Sequence, residues 1–215
     1  MIQEDSARNF PDWDTLYKNQ KVQKMPWFNE NLDADLEEEL EKRRIRTGMI
    51  LDLGTGPATQ AVQLCRRGLS VTGSDISSAA IQRAKKTYVK DFSNIRFVVD
   101  DILDSKFAND EFNYIFDRGC FHVMPPEMRS TYVGEIKRIL DKNGFLFLKC
   151  FSTKEQREEG PYKFSEADIK KIFGRKFSIA SIKEAVYQGT LNPLPKALFV
   201  VMRKRSKNHN PEHDI

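Results

Sequence analysis

Two glycines follow a short apolar run near residue 50, an arrangement that can hold a nucleotide-like ligand. The run 49–53 is typical of a buried parallel strand and leads directly into Gly54, Thr55 and Gly56. Glycines let the backbone turn tightly and approach a ligand closely. A helix is predicted from Pro57, and the start of a helix presents free amide groups. Such glycines also occur in ordinary turns, but their place between strand and helix favours a nucleotide site.

Carboxylates follow the next two predicted strands. Asp75 lies about 20 residues after Gly56, the spacing at which an acid accepts hydrogen bonds from ribose hydroxyls. Asp101 follows the third predicted strand, where a carboxylate can accept from the exocyclic amine of adenine. Ile76 and Ile102 come next to these acids and can sandwich the adenine ring. Each residue alone fits a turn. Because ligands bind at the carboxyl ends of such strands, together they predict a nucleoside pocket.

Two cofactors share this nucleoside, a nicotinamide dinucleotide and S-adenosylmethionine. The dinucleotide fingerprint has a third small residue where this chain has Thr59, and its loop must approach a pyrophosphate. Here Asp52 adds a carboxylate before the glycines, and Pro57 follows them. A carboxylate suits a cationic, amino-acid-bearing ligand better than an anionic pyrophosphate. The residues favour S-adenosylmethionine, with a dinucleotide-dependent oxidoreductase and a non-catalytic adenosyl-binding protein as alternatives.

Strands and helices alternate along most of the chain, which predicts a mostly parallel sheet covered by helices on both faces. The segment 1–30 is predicted to be irregular, with Pro26 preventing a long helix. The last two strands have no helix between them and are predicted to pair antiparallel. Strands are predicted at 49–53, 69–73, 95–99, 112–116, 144–150, 177–185 and 197–202, and helices at 32–46, 57–67, 128–140, 166–173 and after a Ser77 cap. The fold class is therefore α/β, a doubly wound three-layer sandwich.

Composition excludes several classes of protein. The formal net charge of +4 is too slight to indicate a nucleic-acid binder, and the basic run 203–207 is typical of a solvated end. Three cysteines without a CxxC pair fit neither a disulfide framework nor a zinc site. The start of the chain is polar and acidic, unlike a signal peptide, and no apolar stretch approaches the ~20 residues that span a bilayer. We therefore expect a cytoplasmic monomer or weak homodimer without a resident metal, nucleic-acid partner or membrane association.

The motif 51–56, Leu-Asp-Leu-Gly-Thr-Gly, resembles the glycine-rich motif of class I methyltransferases. Asp75 and Asp101 fall where that superfamily contacts ribose and adenine, and the resemblance covers about residues 48–202. It implies S-adenosyl-L-methionine as cofactor, S-adenosyl-L-homocysteine as product, and a seven-stranded sheet of order 3-2-1-4-5-7-6 with the last strand antiparallel. The corresponding domain organisation is a group of N-terminal helices at 1–47 that pack on the catalytic domain, a methyltransferase domain at 48–205 and a flexible tail at 206–215.

A narrower resemblance is to the thiopurine S-methyltransferase branch. Tellurite-resistance methyltransferases share some of the same sequence features. It is carried by the segments 116–122 and 160–164 and by the helix predicted over 169–173. The first segment contains Asp117, which we assign to the cofactor site with the loop around it. Trp27 resembles a tryptophan that helps to close the cofactor site in that branch. This resemblance implies a small-molecule acceptor of thiol, thiopurine or metalloid type.

Methyl transfer from a sulfonium is an in-line displacement that demands alignment and exclusion of water. A thiol acceptor near its own pKa needs no strong base, whereas an amine or hydroxyl acceptor does. His122 follows the fourth strand and is the leading candidate base, the alternative being a histidine hydrogen-bonded within its loop. Arg118 is expected either to position an anionic acceptor or to pair with a carboxylate. Tyr162 is expected to cover the acceptor or to pack. A protein lysine is the alternative acceptor.

Overall fold

A computed structural model describes residue 8 and residues 10–205, and the predicted tail at 206–215 lies outside them. The described helices are α1 (Trp13–Asn19), α2 (Ala34–Lys42), α3 (Thr59–Arg66), α4 (Ser78–Tyr88), α5 (Arg129–Ile139) and α6 (Glu166–Phe173). The strands are β1 (Met49–Leu53), β2 (Ser70–Asp75), β3 (Ile95–Val99), β4 (Phe112–Arg118), β5 (Leu140–Ser152), β6 (Lys163–Phe164), β7 (Phe177–Val186) and β8 (Lys196–Lys204). Among these residues, none of the helices has both the length and the apolar content required to traverse a bilayer.

The strand order is β3-β2-β1-β4-β5-β8-β7, with β8 antiparallel to both of its neighbours. This confirms the expected seven-strand order and the antiparallel last strand. The two-residue β6 adds to β5 and was not predicted, because two residues carry no recognisable alternation. Helices α2, α3 and α4 bury one face of the sheet, and α5 and α6 bury the other. The predicted three-layer α/β sandwich is confirmed.

The helix boundaries differ from the prediction where the backbone is locally left-handed. The helix predicted over 32–46 ends at Lys42, and Arg44 has a φ of 54°. The helix predicted from Pro57 begins at Thr59, because Ala58 adopts a φ of 63°. A residue with positive φ cannot continue a right-handed helix. Apolar spacing does not report this local geometry.

The segment 12–33, here called the cap, contains α1, which the sequence did not predict. Seven residues are too few for a clear periodic pattern, and short isolated helices are marginal without tertiary support. The side chain of Asp12 accepts a hydrogen bond from the Thr15 amide at 2.7 Å and so caps the helix. Arg83 of α4 donates to the Tyr17 carbonyl at 2.7 Å. The helix therefore depends on packing against α4.

Candidate active site

The loop after β1 has the left-handed conformation that only glycine adopts without cost. Gly54 has a φ of 67° and Gly56 a φ of 47°. The Thr55 amide donates to the Ser74 carbonyl at 2.8 Å, and the Thr55 hydroxyl donates to Asp52 at 2.6 Å. Burial raises the pKa of Asp52 to about 7, because a desolvated carboxylate disfavours its charge. The loop is thus fastened to β1 and β2, with Gly54 exposed and with Thr55 and Gly56 buried.

Asp75 ends β2 and connects this loop to the start of α4. One carboxylate oxygen accepts from the Gly56 amide and the other from the Ser77 amide, each at 2.9 Å. The residue is buried, and burial raises the pKa of its carboxyl group. A carboxylate has about four lone-pair sites, so both oxygens keep capacity for ligand hydroxyls. A contact between Asp75 and a ribose stays a prediction.

Loops from four neighbouring strands meet around Gly54. A Cβ on Gly54 would lie 3.4 Å from the Cβ of Cys120, which follows β4. Burial raises the pKa of the Cys120 thiol, and the charges of Asp117, Asp75 and Asp101 raise it further. Strands β1, β2, β3 and β4 are adjacent and parallel, so the segments that follow them lie at the same edge of the sheet. The structure therefore brings Gly54, Asp75 and Asp101 to one edge of the sheet.

Exposed apolar side chains flank Asp75. Ile76 is 56% exposed and Val99 is 50% exposed, and the β2–β3 register places Val99 directly opposite Asp75. These two side chains offer an apolar surface for a flat ring. Ile102 is only 4% exposed and packs into the core on the side of α5, so its contact with adenine stays a prediction. Sequence reasoning missed Val99, although a β-branched residue before a strand-end acid was the available signal.

The cap covers the glycine loop. A Cβ on Gly56 would lie 2.3 Å from the Tyr17 hydroxyl oxygen, which accepts a hydrogen bond from the Trp27 indole at 3.2 Å. The Trp13 and Trp27 rings pack edge to face at 5.9 Å. Burial raises the pKa of Tyr17 well above its usual value. Tyr17 and Trp27 therefore form the part of the cap that lies over the loop, here called the lid. Sequence reasoning missed Tyr17 because α1 was not predicted.

Arg118 is engaged in binding the cap. Its Nε donates to Asp33 at 3.0 Å, Nη1 donates to the Trp27 carbonyl at 3.0 Å, and Nη2 donates to the Gln188 carbonyl. The guanidinium lies over the Tyr187 ring, 4.4 Å from its centroid. Of the two roles expected for Arg118, the structure contains the carboxylate pair, and an acceptor contact stays a prediction.

Asp117 shapes the loop after β4. Its buried carboxylate accepts from the amides of Gly119, Cys120 and Phe121 at 3.0, 2.8 and 2.9 Å, and from the Tyr132 hydroxyl. Burial raises the pKa of Asp117 to about 6 despite these bonds. The carboxylate is thus used to fold the turn that presents Cys120. A direct contact between Asp117 and the cofactor stays a prediction.

His122 is buried among aromatic rings. It is 5% exposed, stacks on Tyr187 at 5.6 Å and meets the edge of Phe151 at 5.1 Å. Its Nδ1 is buried and has no hydrogen-bond partner among residues 10–205. Burial and the nearby Arg118 charge lower the pKa of His122 to about 3. The imidazole is therefore neutral near neutral pH and is a weak base.

Tyr162 is buried beside the same loop. Its amide donates to the His122 carbonyl at 2.8 Å, and the guanidinium of Arg129 lies 4.8 Å from its ring centroid. Its ring also contacts Phe10 at 6.0 Å. These are packing contacts, so a contact between Tyr162 and the acceptor stays a prediction.

The charge balance at this edge fits a cationic ligand. Asp52, Asp75 and Asp101 lie around the glycine loop, whereas the guanidinium of Arg118 is directed to Asp33. A pyrophosphate would meet carboxylates without a free arginine, whereas a sulfonium with an ammonium group would be attracted. These carboxylates therefore fit S-adenosylmethionine, and exposed apolar side chains lie at the position expected for adenine.

Comparison with known proteins supports this interpretation. Residues 50–144 match the family model for a methyltransferase domain. The chain is 28% identical over 163 residues to a 2-heptyl-1-hydroxyquinolin-4(1H)-one methyltransferase of Mycobacteroides abscessus, an alignment that covers 74% of this chain and 71% of that protein. It is 31% identical over 140 residues to EEF1A lysine methyltransferase 2 of Danio rerio, in an alignment that covers 60% of this chain and 60% of that protein.

The fold is shared with solved structures. One of them, from work on the conversion of a disulfide bond into a thioacetal group during echinomycin biosynthesis, superposes with a TM-score of 0.76 at 21% identity. The superposition covers 89% of this chain and 91% of that chain. The sheet order, the loops that meet around Gly54 and the methyltransferase-domain match lead to one conclusion. The chain is a methyltransferase with the class I fold, and S-adenosylmethionine is its cofactor.

Proposed function

We propose that this enzyme transfers the methyl group of S-adenosylmethionine to a small-molecule acceptor, with a thiol, thiopurine or metalloid as the favoured class. The observation that carries the proposal is that Gly54, Asp75 and Asp101 follow adjacent parallel strands at one sheet edge, beside the hydrogen-bonded Tyr17 and Trp27 side chains. Once bound there, the cofactor supplies an electrophilic methyl group whose leaving group is a neutral thioether. The protein must then align the acceptor and exclude water.

Each cofactor contact follows from a side chain already held in place. Asp75 is suited to accept from ribose hydroxyls because the Gly56 and Ser77 amides fix its carboxylate. Asp101 is exposed at the end of β3, where it can accept from the adenine amine. Ile76 is suited to contact the adenine face. The lid formed by Trp27 excludes water from the methionine part of the site.

The acid–base chemistry of His122 favours an acceptor that needs little help in losing a proton. A base whose pKa is about 3 is a poor acceptor for the proton of an ammonium or an alcohol. A thiol is partly ionised near neutral pH and is intrinsically nucleophilic. His122 then serves as a neutral hydrogen-bonding group beside the acceptor. This argument supports a thiol or similar soft acceptor.

The aromatic surroundings also favour a small acceptor. Phe151, Tyr187 and Trp27 pack together beside His122, and pockets for small molecules are commonly lined by such rings. The mycobacterial relative is named for a small aromatic acceptor.

A protein lysine is the second candidate acceptor. The specific observation in its favour is the 31% identity to EEF1A lysine methyltransferase 2 of Danio rerio. An amine acceptor would require another base or a rearrangement of the loop around His122. Because the two candidates differ in the size of the acceptor, an acceptor screen separates them.

Asp75→Ala is expected to weaken binding of S-adenosylhomocysteine by about 10- to 100-fold, because charge-assisted hydrogen bonds contribute about 1.5–3 kcal/mol. Calorimetric titration of wild type and variant measures this effect, with the exposed Asp91→Ala as the control. A parallel titration with NAD tests the oxidoreductase alternative. Absence of S-adenosylhomocysteine binding in the wild type would contradict the proposed cofactor site.

Gly56→Ala is expected to weaken the same binding, because its methyl group would collide with the Tyr17 hydroxyl and because φ is positive there. Tyr17→Phe removes the colliding oxygen, so the double variant should regain part of the affinity. Gly134→Ala in α5 is the matched control, since its new methyl group would meet only the flexible end of Lys176. Equal binding by both alanine variants would mean that the glycine loop does not hold the cofactor.

His122→Gln is expected to flatten the acid side of the stability profile. The pKa of His122 falls from 6.5 to about 3 on folding, so between these values the unfolded chain binds a proton that the folded chain does not. Stability therefore falls as pH decreases through this window. From about pH 6.5 to about pH 5, the wild type should lose about 2 kcal/mol more than the variant in urea unfolding. Parallel losses would show that His122 is not buried as a neutral group.

An acceptor screen with methyl-labelled cofactor is expected to give turnover with thiols, thiopurines or metalloid oxyanions. Label incorporation is measured for these compounds, for halides and amines, and for whole-cell protein extracts. His122→Gln should keep most of the activity on a thiol, because the thiolate itself is the nucleophile. Labelling of proteins alone would overturn the small-molecule proposal in favour of the lysine alternative.

A further inference from the structure

Three cations lie in one row across the carboxyl side of the sheet. The register pairs Arg118 of β4 with Lys149 of β5, Lys149 with Phe199 of β8, and Phe199 with Lys183 of β7. Residues paired in register project to the same face of a sheet. The row is therefore a concentration of positive charge on the face that α2 covers.

Two aspartates at the start of α2, together with Glu38 of the same helix, pair with the three cations of this row. Lys149 Nζ lies 2.6 Å from carboxylate oxygens of both Asp33 and Asp35, and Asp35 also binds Lys183 at 3.0 Å. Asp33 is shared with Arg118 at 3.0 Å. The side chains of Lys149 and Asp33 are completely buried. Removing one member of a buried pair leaves an uncompensated charge, so the members of this cluster depend on one another.

The cluster connects directly to the lid over the glycine loop. The same Arg118 that binds Asp33 also donates to the carbonyls of Trp27 and Gln188. Lys149 Nζ donates to the Gln188 side chain at 2.9 Å. Thr190 donates its amide to the Pro26 carbonyl at 3.0 Å. The backbone of the lid is therefore bound at Trp27 by Arg118 and at Pro26 by Thr190, which follows the Gln188 that Lys149 binds.

The indole of Trp27 completes the connection, since it donates to the Tyr17 hydroxyl against Gly56. We propose that Asp33 and Lys149 are positioning residues for the cofactor site, acting through Arg118 to hold Trp27 over the glycine loop. The proposal rests on the proposed function, in which Trp27 closes the cofactor site. Because the apparent dissociation constant rises as the docked fraction of the lid falls, loosening the cluster should weaken cofactor binding.

The tryptophans provide a readout that does not depend on activity. The chain has two tryptophans, Trp13 and Trp27, and both lie in the cap. Intrinsic fluorescence and its quenching by acrylamide therefore report on the cap. A residue that merely stabilised the core would change the free energy of unfolding without exposing these indoles in the native state.

Two variants loosen the cluster to different degrees. Lys149→Met replaces the ammonium with an apolar side chain of similar length. Asp33→Asn is milder. Its amide oxygen can still accept from the Asp35 amide and so cap α2, whereas the negative charge shared by Arg118 and Lys149 is lost. Glu41→Gln is the matched control, since it removes ion pairs with Arg46 and Arg67 from the same helix without touching the cluster.

The experiment measures S-adenosylhomocysteine binding, tryptophan quenching, and KM for S-adenosylmethionine with kcat on the best acceptor. Lys149→Met should bind about tenfold more weakly or worse, as expected when the lid is docked in a tenth of the molecules. Asp33→Asn should show a smaller change in the same direction. Both variants should have more quenchable tryptophans, a raised KM and a kcat within about twofold of wild type. Glu41→Gln should match the wild type in every measurement.

Unchanged affinity and unchanged quenching in Asp33→Asn, with a wild type that binds, would overturn the positioning role. Circular dichroism identifies a Lys149→Met protein that does not fold, and the decision then rests on Asp33→Asn. A kcat loss at constant KM would also overturn the proposal, because it would place the cluster in the chemical step. A wild type that does not bind S-adenosylhomocysteine would refute the proposed function itself, whereas the quenching comparison would still test whether the cluster docks the lid.

Discussion

The carboxylate of Asp75 accepts one hydrogen bond from the glycine loop and one from the start of α4, each at 2.9 Å, and the cofactor edge depends on these two bonds. Both donors are backbone amides that would otherwise be unsatisfied at this buried position. Because the two amides hold both oxygens, the remaining lone pairs of the carboxylate point in fixed directions. One acidic side chain thus orders the loop that approaches the cofactor and presents its own acceptor sites.

Burial of ionisable groups is the second feature of the site. The pKa of Asp52 rises to about 7, that of Asp117 to about 6, and that of His122 falls to about 3. All three changes have the same principal cause, the loss of water around the charged form. A site with little water strengthens the attraction between a cationic cofactor and the remaining carboxylates. The same environment leaves His122 neutral, which suits a reaction in which alignment matters more than proton transfer.

The cap is held beside the glycine loop through contacts of two kinds. Tyr17 lies against Gly56 and accepts a hydrogen bond from Trp27, whereas Arg118 binds the backbone of the cap. The covering residues are aromatic and need a fixed position to exclude water. The charged residues supply that position, because buried ion pairs are geometrically demanding and tolerate few alternatives. Closure of the site and docking of the cap are therefore one structural problem.

Local patterns in the sequence predicted the layered α/β fold and the loops that follow its parallel strands. Apolar runs, glycine stops and the spacing from Gly56 to Asp75 are local patterns. They can be recognised without knowing which distant residues they contact. The strand order came from resemblance to a known family, and the structure has that order. Helix α1 was missed because seven residues carry little periodic signal.

The partners of the charged side chains are known only from the way the elements pack in three dimensions. Arg118 was left between an acceptor and a carboxylate, and the fold pairs this β4 residue with Asp33, the N-cap of α2. Asp33 and Lys149 are separated by 116 positions in the chain, so no spacing rule relates them. Burial likewise decided that His122 is neutral. Pairing and burial depend on which elements pack together, and that information is absent from the order of residues along any single element.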